Sequence, residues 1–161
     1  MNIQRREGNN MAVEILIVED DSFKTTDIKT YITKHFYDCD IDVVGSYQSG
    51  CDAAITNKYD ILILDMSIPN FDVSYNENGG YTLKNGGELI MRELLDENID
   101  FSAVIISQYE EFGGESIEQI DNRLKKLCPT QYYGWITYST SNNDWQEKLL
   151  NTIKNVISTN N

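Results

Sequence analysis

Four consecutive apolar residues, Ile61 to Leu64, run straight into an aspartate, and a proline follows four positions later at Pro69. An uninterrupted apolar run of this length fits a strand buried on both faces, as parallel sheets require. Asp65 then stands at the carboxyl end of the strand, the edge where open α/β sheets bind ligands. On its own, Asp65 reads as a strand-ending aspartate that caps a turn. A second run, Glu14-Ile15-Leu16-Ile17-Val18, ends in Glu19-Asp20-Asp21. Three adjacent acids repel one another, and their pKa values rise unless a cation is near. A hard divalent ion such as Mg²⁺ takes oxygen ligands, one or two of them carboxylates. A solvated acidic turn explains the triplet equally well when it stands alone. If the two strands are neighbours, Asp20 and Asp65 share one ion, and the metal site becomes the favoured reading.

The rest of the chain alternates strand and helix signals, which predicts a parallel sheet with helices on both faces. Helix one follows Asp21, with Ser22 as its cap and Ile28, Ile32 and Phe36 on one face. Strand two is expected at 41–44, helix two at 49–57 and helix three at 87–97. Strand four is expected at 101–107, helix four at 115–127, strand five at 133–138 and helix five at 144–157. Trp145, Leu149, Ile153 and Val156 form the core stripe of helix five. A chain of 161 residues buries a core without staples. Its 13 basic and 26 acidic residues give a net charge of −13, which argues against direct binding to DNA or anionic membranes. No stretch has membrane-spanning length, and no signal-peptide pattern opens the chain. Cys39, Cys51 and Cys128 lack metal-ligand spacing and read as inert thiols of a reducing cytosol. His35 reads as a surface residue near a helix end. Residues 1–12 read as a flexible N-terminal lead, leaving one domain over 13–161.

Four blocks in order resemble a receiver domain of the two-component response-regulator family. They are Ile15 to Asp21, Ile61 to Pro69, Val104 to Ser107, and Gly134 to Tyr138. The resemblance runs from Val13 to Val156. It implies a flavodoxin-like (βα)5 three-layer sandwich with a parallel sheet of order 2-1-3-4-5. It also implies that Asp65 is the phosphoacceptor, that Glu19, Asp20, Asp65 and the Ser67 carbonyl hold Mg²⁺, that Ser107 contacts the phosphoryl group, and that Trp135 is the switch aromatic. Two positions depart from the family. Tyr138 stands where a lysine ends the last strand, so the site lacks the charge that phosphoryl transfer draws on. Gln108 stands where a small residue follows the hydroxyl, and a long amide there narrows the approach to Asp65.

A further departure is an insertion over 73–85. Val73 and Tyr75, then Asn78-Gly79, then Tyr81 and Leu83 make a hairpin pattern springing from the loop that carries Asp65. A structureless loop is the alternative. Lys84 within it is one candidate for the missing cation. The expected function is a single-domain receiver in phosphorelay signalling that accepts a phosphoryl group from a sensor histidine kinase or phosphotransfer protein. It then signals to a downstream protein by contact, near helix four and strand five. Beyond self-catalysed phosphorylation and dephosphorylation no enzyme activity is expected. The alternative is a degenerate receiver that binds its partner without phosphorylation. A cytoplasmic monomer or weak dimer is expected in either case.

Overall fold

The computed structural model describes residues 12–72, 80–108 and 111–161. In chain order the elements are β1 (Val13–Val18), α1 (Ser22–His35), β2 (Cys39–Val44), α2 (Tyr47–Thr56), β3 (Ile61–Leu64), β4 (Ile68–Pro69), β5 (Thr82–Leu83), α3 (Gly86–Asp96), β6 (Ala103–Ser107), β7 (Glu111–Phe112), β8 (Glu115–Ser116), α4 (Ile117–Leu127), β9 (Tyr132–Thr137) and α5 (Asp144–Asn160). Five strands form one parallel sheet in the order β2-β1-β3-β6-β9. Counting sheet strands alone, this is the expected order 2-1-3-4-5.

The apolar runs separate cleanly onto two faces. Leu16, Val18, Leu62, Leu64, Ala103 and Ile105 join one core with residues of α2, α3 and α4. Their sequence neighbours Ile15, Ile17, Ile61, Ile63, Val104 and Ile106 join a second core with α1 and α5. This is the period of two expected of strands covered on both sides. The helix-five stripe Trp145, Leu149, Ile153 and Val156 is fully in the second core, as its spacing indicated.

The last strand breaks the alternation. Tyr132 pairs with Ala103, but Trp135 pairs with Ile105, so β9 carries one extra residue there. Gly134, at φ +116°, takes up the bulge. Tyr132 and Trp135 therefore both pack on the α4 face although they are three apart, and Ile136 and Tyr138 fall on the α1 face.

Several local expectations are refined. Helix α1 is capped by Asp21, whose carboxylate accepts from the Phe23 and Lys24 amides, while Ser22 is the first helical residue. Phe36 ends the helix instead of continuing it. In the insertion, Thr82–Leu83 pair antiparallel with Ile68–Pro69. Residues 73–79, with the Asn78-Gly79 turn, lie outside the described residues, as do residues 1–11 of the expected lead. The cysteines are free; Cys51 and Cys128 are buried, and burial pushes their thiols up. His35 is exposed. No helix among the described residues is long and apolar enough to cross a membrane.

Candidate functional site

Three strand ends converge at the carboxyl edge of the sheet. Glu19 follows β1, Asp65 follows β3 and Ser107 closes β6; each is at most 5 % exposed. Backbone hydrogen bonds hold this edge in register. The Asp65 amide donates to the Val18 carbonyl, and the Glu19 amide to the Val44 carbonyl. The carboxylate oxygens of Glu19, Asp20 and Asp65 lie within 4.8 Å of one another, and Asp20 is exposed at the mouth. Asp65 Oδ1 accepts from the Met66 amide at 2.8 Å. Helix α3 can approach this loop because its first residues lack side chains. A Cβ on Gly87 would lie 2.8 Å from the Asp65 carbonyl oxygen, and one on Gly86 would lie 2.3 Å from Ile68 Cγ1.

The fourth member of the site was not among the expected residues. Lys24, on the first turn of α1, is 2 % exposed. Its ammonium lies 2.5 Å from Glu19 Oε2 and 3.3 Å from Asp65 Oδ1, and donates to the Ile106 carbonyl at 2.8 Å. The expectation that the site has no lysine is thereby corrected, and Lys84, an exposed residue of the turn before α3, is not the cation found there. A signal was available: Lys24 precedes Ile28 and Ile32 at intervals of four, so it continues the buried stripe of α1.

Burial raises the Glu19 carboxyl well above its ordinary range, with Lys24 opposing the rise and Asp65 adding to it. A divalent cation here would favour the charged form of all three carboxyls against the burial of Glu19 and the repulsion from Asp65. All the donors are hard oxygens, so the set fits Mg²⁺. Ser67 lies half-buried in the turn directly after Asp65 and Met66.

The remaining expected residues take these places. Ser107 Oγ is fully buried and has no hydrogen-bond partner among the described residues. Trp135 is half-buried against the α4-side core. Gln108 is exposed at the end of β6. Tyr138 is buried on the α1 face, where its ring centroid lies 5.7 Å from the Lys24 ammonium. Its hydroxyl donates to Asp27 Oδ2 at 2.6 Å. Beside the site, Arg123 of α4 reaches both Glu88 of α3 and Glu115 of β8, and Arg92 also binds Glu88.

Solved structures of similar fold include receiver domains. The receiver domain of Francisella response regulator 1452 superposes with a TM-score of 0.62 at 16 % identity, covering 92 % of this chain and 99 % of that one. The chain has the receiver fold. The receiver domain of the sensor histidine kinase PA1611 from Pseudomonas aeruginosa, solved with a magnesium ion coordinated in its active-site cleft, matches at a TM-score of 0.59 and 14 % identity, over 91 % of this chain and 98 % of that one. In sequence, the Detocs response regulatory protein DtcB of Enterobacter cloacae is 26 % identical over 147 residues, 88 % of this chain and 98 % of its own. No protein-family model matches. The fold that the four sequence blocks led one to expect is thus borne out, with Tyr138 at the end of the last sheet strand and a lysine reaching in from α1.

Proposed function

We propose that this chain is a signalling receiver that accepts a phosphoryl group on Asp65 from a sensor histidine kinase or a phosphotransfer protein. The observation that carries the reading is the convergence at one sheet edge of a buried Asp65, two further carboxylates and the unpartnered hydroxyl of Ser107. Phosphoryl transfer asks mainly for positioning and charge stabilisation, and this edge is built for both. Glu19, Asp20, Asp65 and the Ser67 carbonyl would hold Mg²⁺, which supplies positive charge to the transferring oxygens. Ser107 would donate its hydroxyl hydrogen to a phosphoryl oxygen and so gain the partner it lacks. The new charge beside β6 would bias the segment after Ser107 and the ring of Trp135, and a downstream protein would read the change at α4 and β9. The name of the DtcB relative and the magnesium-bound PA1611 receiver are consistent with such a role.

One observation favours the alternative of a phosphorylation-independent interaction module. Lys24 already pairs with Glu19 and Asp65, as an internal counter-ion would. Incubation with Mg²⁺ and acetyl phosphate, read by intact mass, separates the two. The receiver gains one phosphoryl group, and the gain is absent in Asp65→Asn. An unmodified wild-type protein would favour the constitutive module.

A further inference from the structure

We infer that Lys24 is the catalytic cation of this receiver: its ammonium enters from α1 and binds the phosphoryl oxygens on Asp65, the task left open by Tyr138. The inference rests on the phosphoacceptor reading.

Its position is costly by two independent physical criteria. A lysine ammonium is almost never fully buried without compensation. A cation in the first turn of a helix also opposes the macrodipole, whose amino end is positive. Lys24 does both, at a helix start whose amino end is already capped by the Asp21 carboxylate. Three partners hold it: Glu19 Oε2, Asp65 Oδ1 and the Ile106 carbonyl. The Ile106 carbonyl accepts its hydrogen bond, and the two carboxylates are its ion-pair partners. Two of those partners anchor the group to β1 and β6. The third and longest contact, 3.3 Å, is the one to Asp65.

That asymmetry suits transfer. With acetyl phosphate, a carboxylate oxygen of Asp65 forms a bond to phosphorus. The bond from phosphorus to the acetyl oxygen breaks, and its electron pair leaves with acetate. No proton moves. Lys24 keeps its ion pair with Glu19 and its hydrogen bond to Ile106 and turns from Asp65 Oδ1 to a phosphoryl oxygen. Since its anchors are already in place, little reorganisation is needed as charge shifts towards the transferring group.

Tyr138 fits the same account. Its ring lies 5.7 Å from the Lys24 ammonium, and its hydroxyl is engaged by Asp27 on the next turn of α1. A lysine at position 138 would bring a second ammonium to the same pocket. The tyrosine at 138 and the lysine at 24 are therefore coupled: one cation occupies the site, delivered from the helix instead of the strand.

The test compares wild type, Lys24→Met, Tyr138→Lys and the double variant Lys24→Met/Tyr138→Lys in acetyl phosphate and Mg²⁺, by intact mass over time, with folding checked by circular dichroism. Wild type should gain one phosphoryl group, Lys24→Met should gain it on the order of a hundredfold more slowly, and the double variant should recover most of the rate. Tyr138→Lys alone should give no acceleration. Equal rates in wild type and Lys24→Met would overturn the inference and leave the phosphoacceptor reading standing. A wild-type protein that takes no phosphoryl group would overturn both. A second measurement needs no variant. In lysine-¹⁵N-labelled wild type, beryllofluoride with Mg²⁺, a phosphoryl stand-in, should shift the Lys24 Nζ resonance relative to Mg²⁺ alone. An unmoved resonance would overturn the inference even if Lys24→Met fails to fold.

Discussion

Tyr138 donates a 2.6 Å hydrogen bond to Asp27 and so ties the end of the last sheet strand to the first helix. The bond is made at the edge of the α1 and α5 core, in which the Tyr138 ring packs at 5.2 Å, centroid to centroid, on Trp145. Burial, the bond to Asp27 and the charge of Asp27 all raise the phenol pKa, so the hydroxyl stays a donor through the neutral range. The strand-end position that is lysine in the family is here a structural clasp on the helix that delivers Lys24.

Tyr138→Phe should test that clasp. A hydrogen bond to a charged acceptor contributes about 1.5–3 kcal/mol. Asp27 is an exposed residue and regains water when the bond is lost, so the expected loss lies near the lower figure. Denaturant unfolding should show a fall in midpoint with an unchanged slope. A loss below about 0.3 kcal/mol would mean that the ring alone holds the position.

Glu88 predicts a pH dependence. Burial alone would raise its carboxyl pKa, but hydrogen bonds and charges from Arg123 and Arg92 outweigh burial and leave it lowered. Between the folded and the ordinary values the unfolded chain binds more protons, so stability rises with pH across that window. The contribution is present at neutral pH and is lost as pH falls from roughly 4.5 downward. Glu88→Gln should cost roughly 1–2 kcal/mol at pH 7, because the two arginines are half-exposed and keep part of their hydration. It should also flatten the acid limb of the stability curve. Parallel curves for the two proteins between pH 3 and 7 would show that the network is not the source of acid sensitivity.

Mg²⁺ should stabilise the protein through Asp20. At ten times its dissociation constant a ligand of the native state adds about 1.4 kcal/mol, or roughly 3–6 °C in a domain of this size. Asp20 is exposed, so Asp20→Asn should change the metal-free melting temperature little while abolishing the Mg²⁺ response. A full response in the variant would place the ion elsewhere.

The sheet and both cores were legible because buried parallel strands are written as unbroken apolar runs, and Ile15 to Val18 and Ile61 to Leu64 are such runs. The acidic cluster was legible for the same reason, since strand order alone brings Glu19 and Asp65 to one edge. Lys24 was not. A lysine after a helix start reads by default as solvated, and its partners Glu19, Asp65 and Ile106 come from three separate segments that only the tertiary fold assembles. The pairing of Leu83 with Ile68 was not legible either, because two-residue strands carry no periodicity.

Gly87 should tolerate no side chain. An alanine Cβ would sit 2.8 Å from both the Asp65 carbonyl oxygen and Ile105 Cδ1, and a backbone oxygen cannot step aside as a flexible side chain does. Gly87→Ala gains about 1 kcal/mol of helix propensity but should still lose roughly 1–3 kcal/mol net through overpacking. Because the displaced segment carries Asp65, the Mg²⁺ response should weaken along with stability. A variant as stable as wild type would show that α3 slides freely over the loop.

The bulge at Gly134 leads to a prediction about deletion. Gly134 has φ +116°, outside the range that other residues adopt comfortably, yet a Cβ there would meet nothing within 4 Å. Gly134→Val should therefore lose stability through backbone strain alone, roughly 1–3 kcal/mol. Removing the residue should be milder. In a regular strand Tyr132, Tyr133, Trp135 and Ile136 would alternate, leaving Tyr132 and Trp135 on the α4 face and Tyr133 and Ile136 on the α1 face, as they are now. Trp135 would still pair with Ile105, so the register down to Thr137 is kept. Deleting Gly134 should accordingly cost less than Gly134→Val, with Trp135 fluorescence near that of wild type in a Trp145→Phe background. If the deletion is the more damaging change and the Trp135 emission moves to the solvent-exposed range, the extra residue is needed to set the path of β9, and alternation alone does not determine which core its aromatics join.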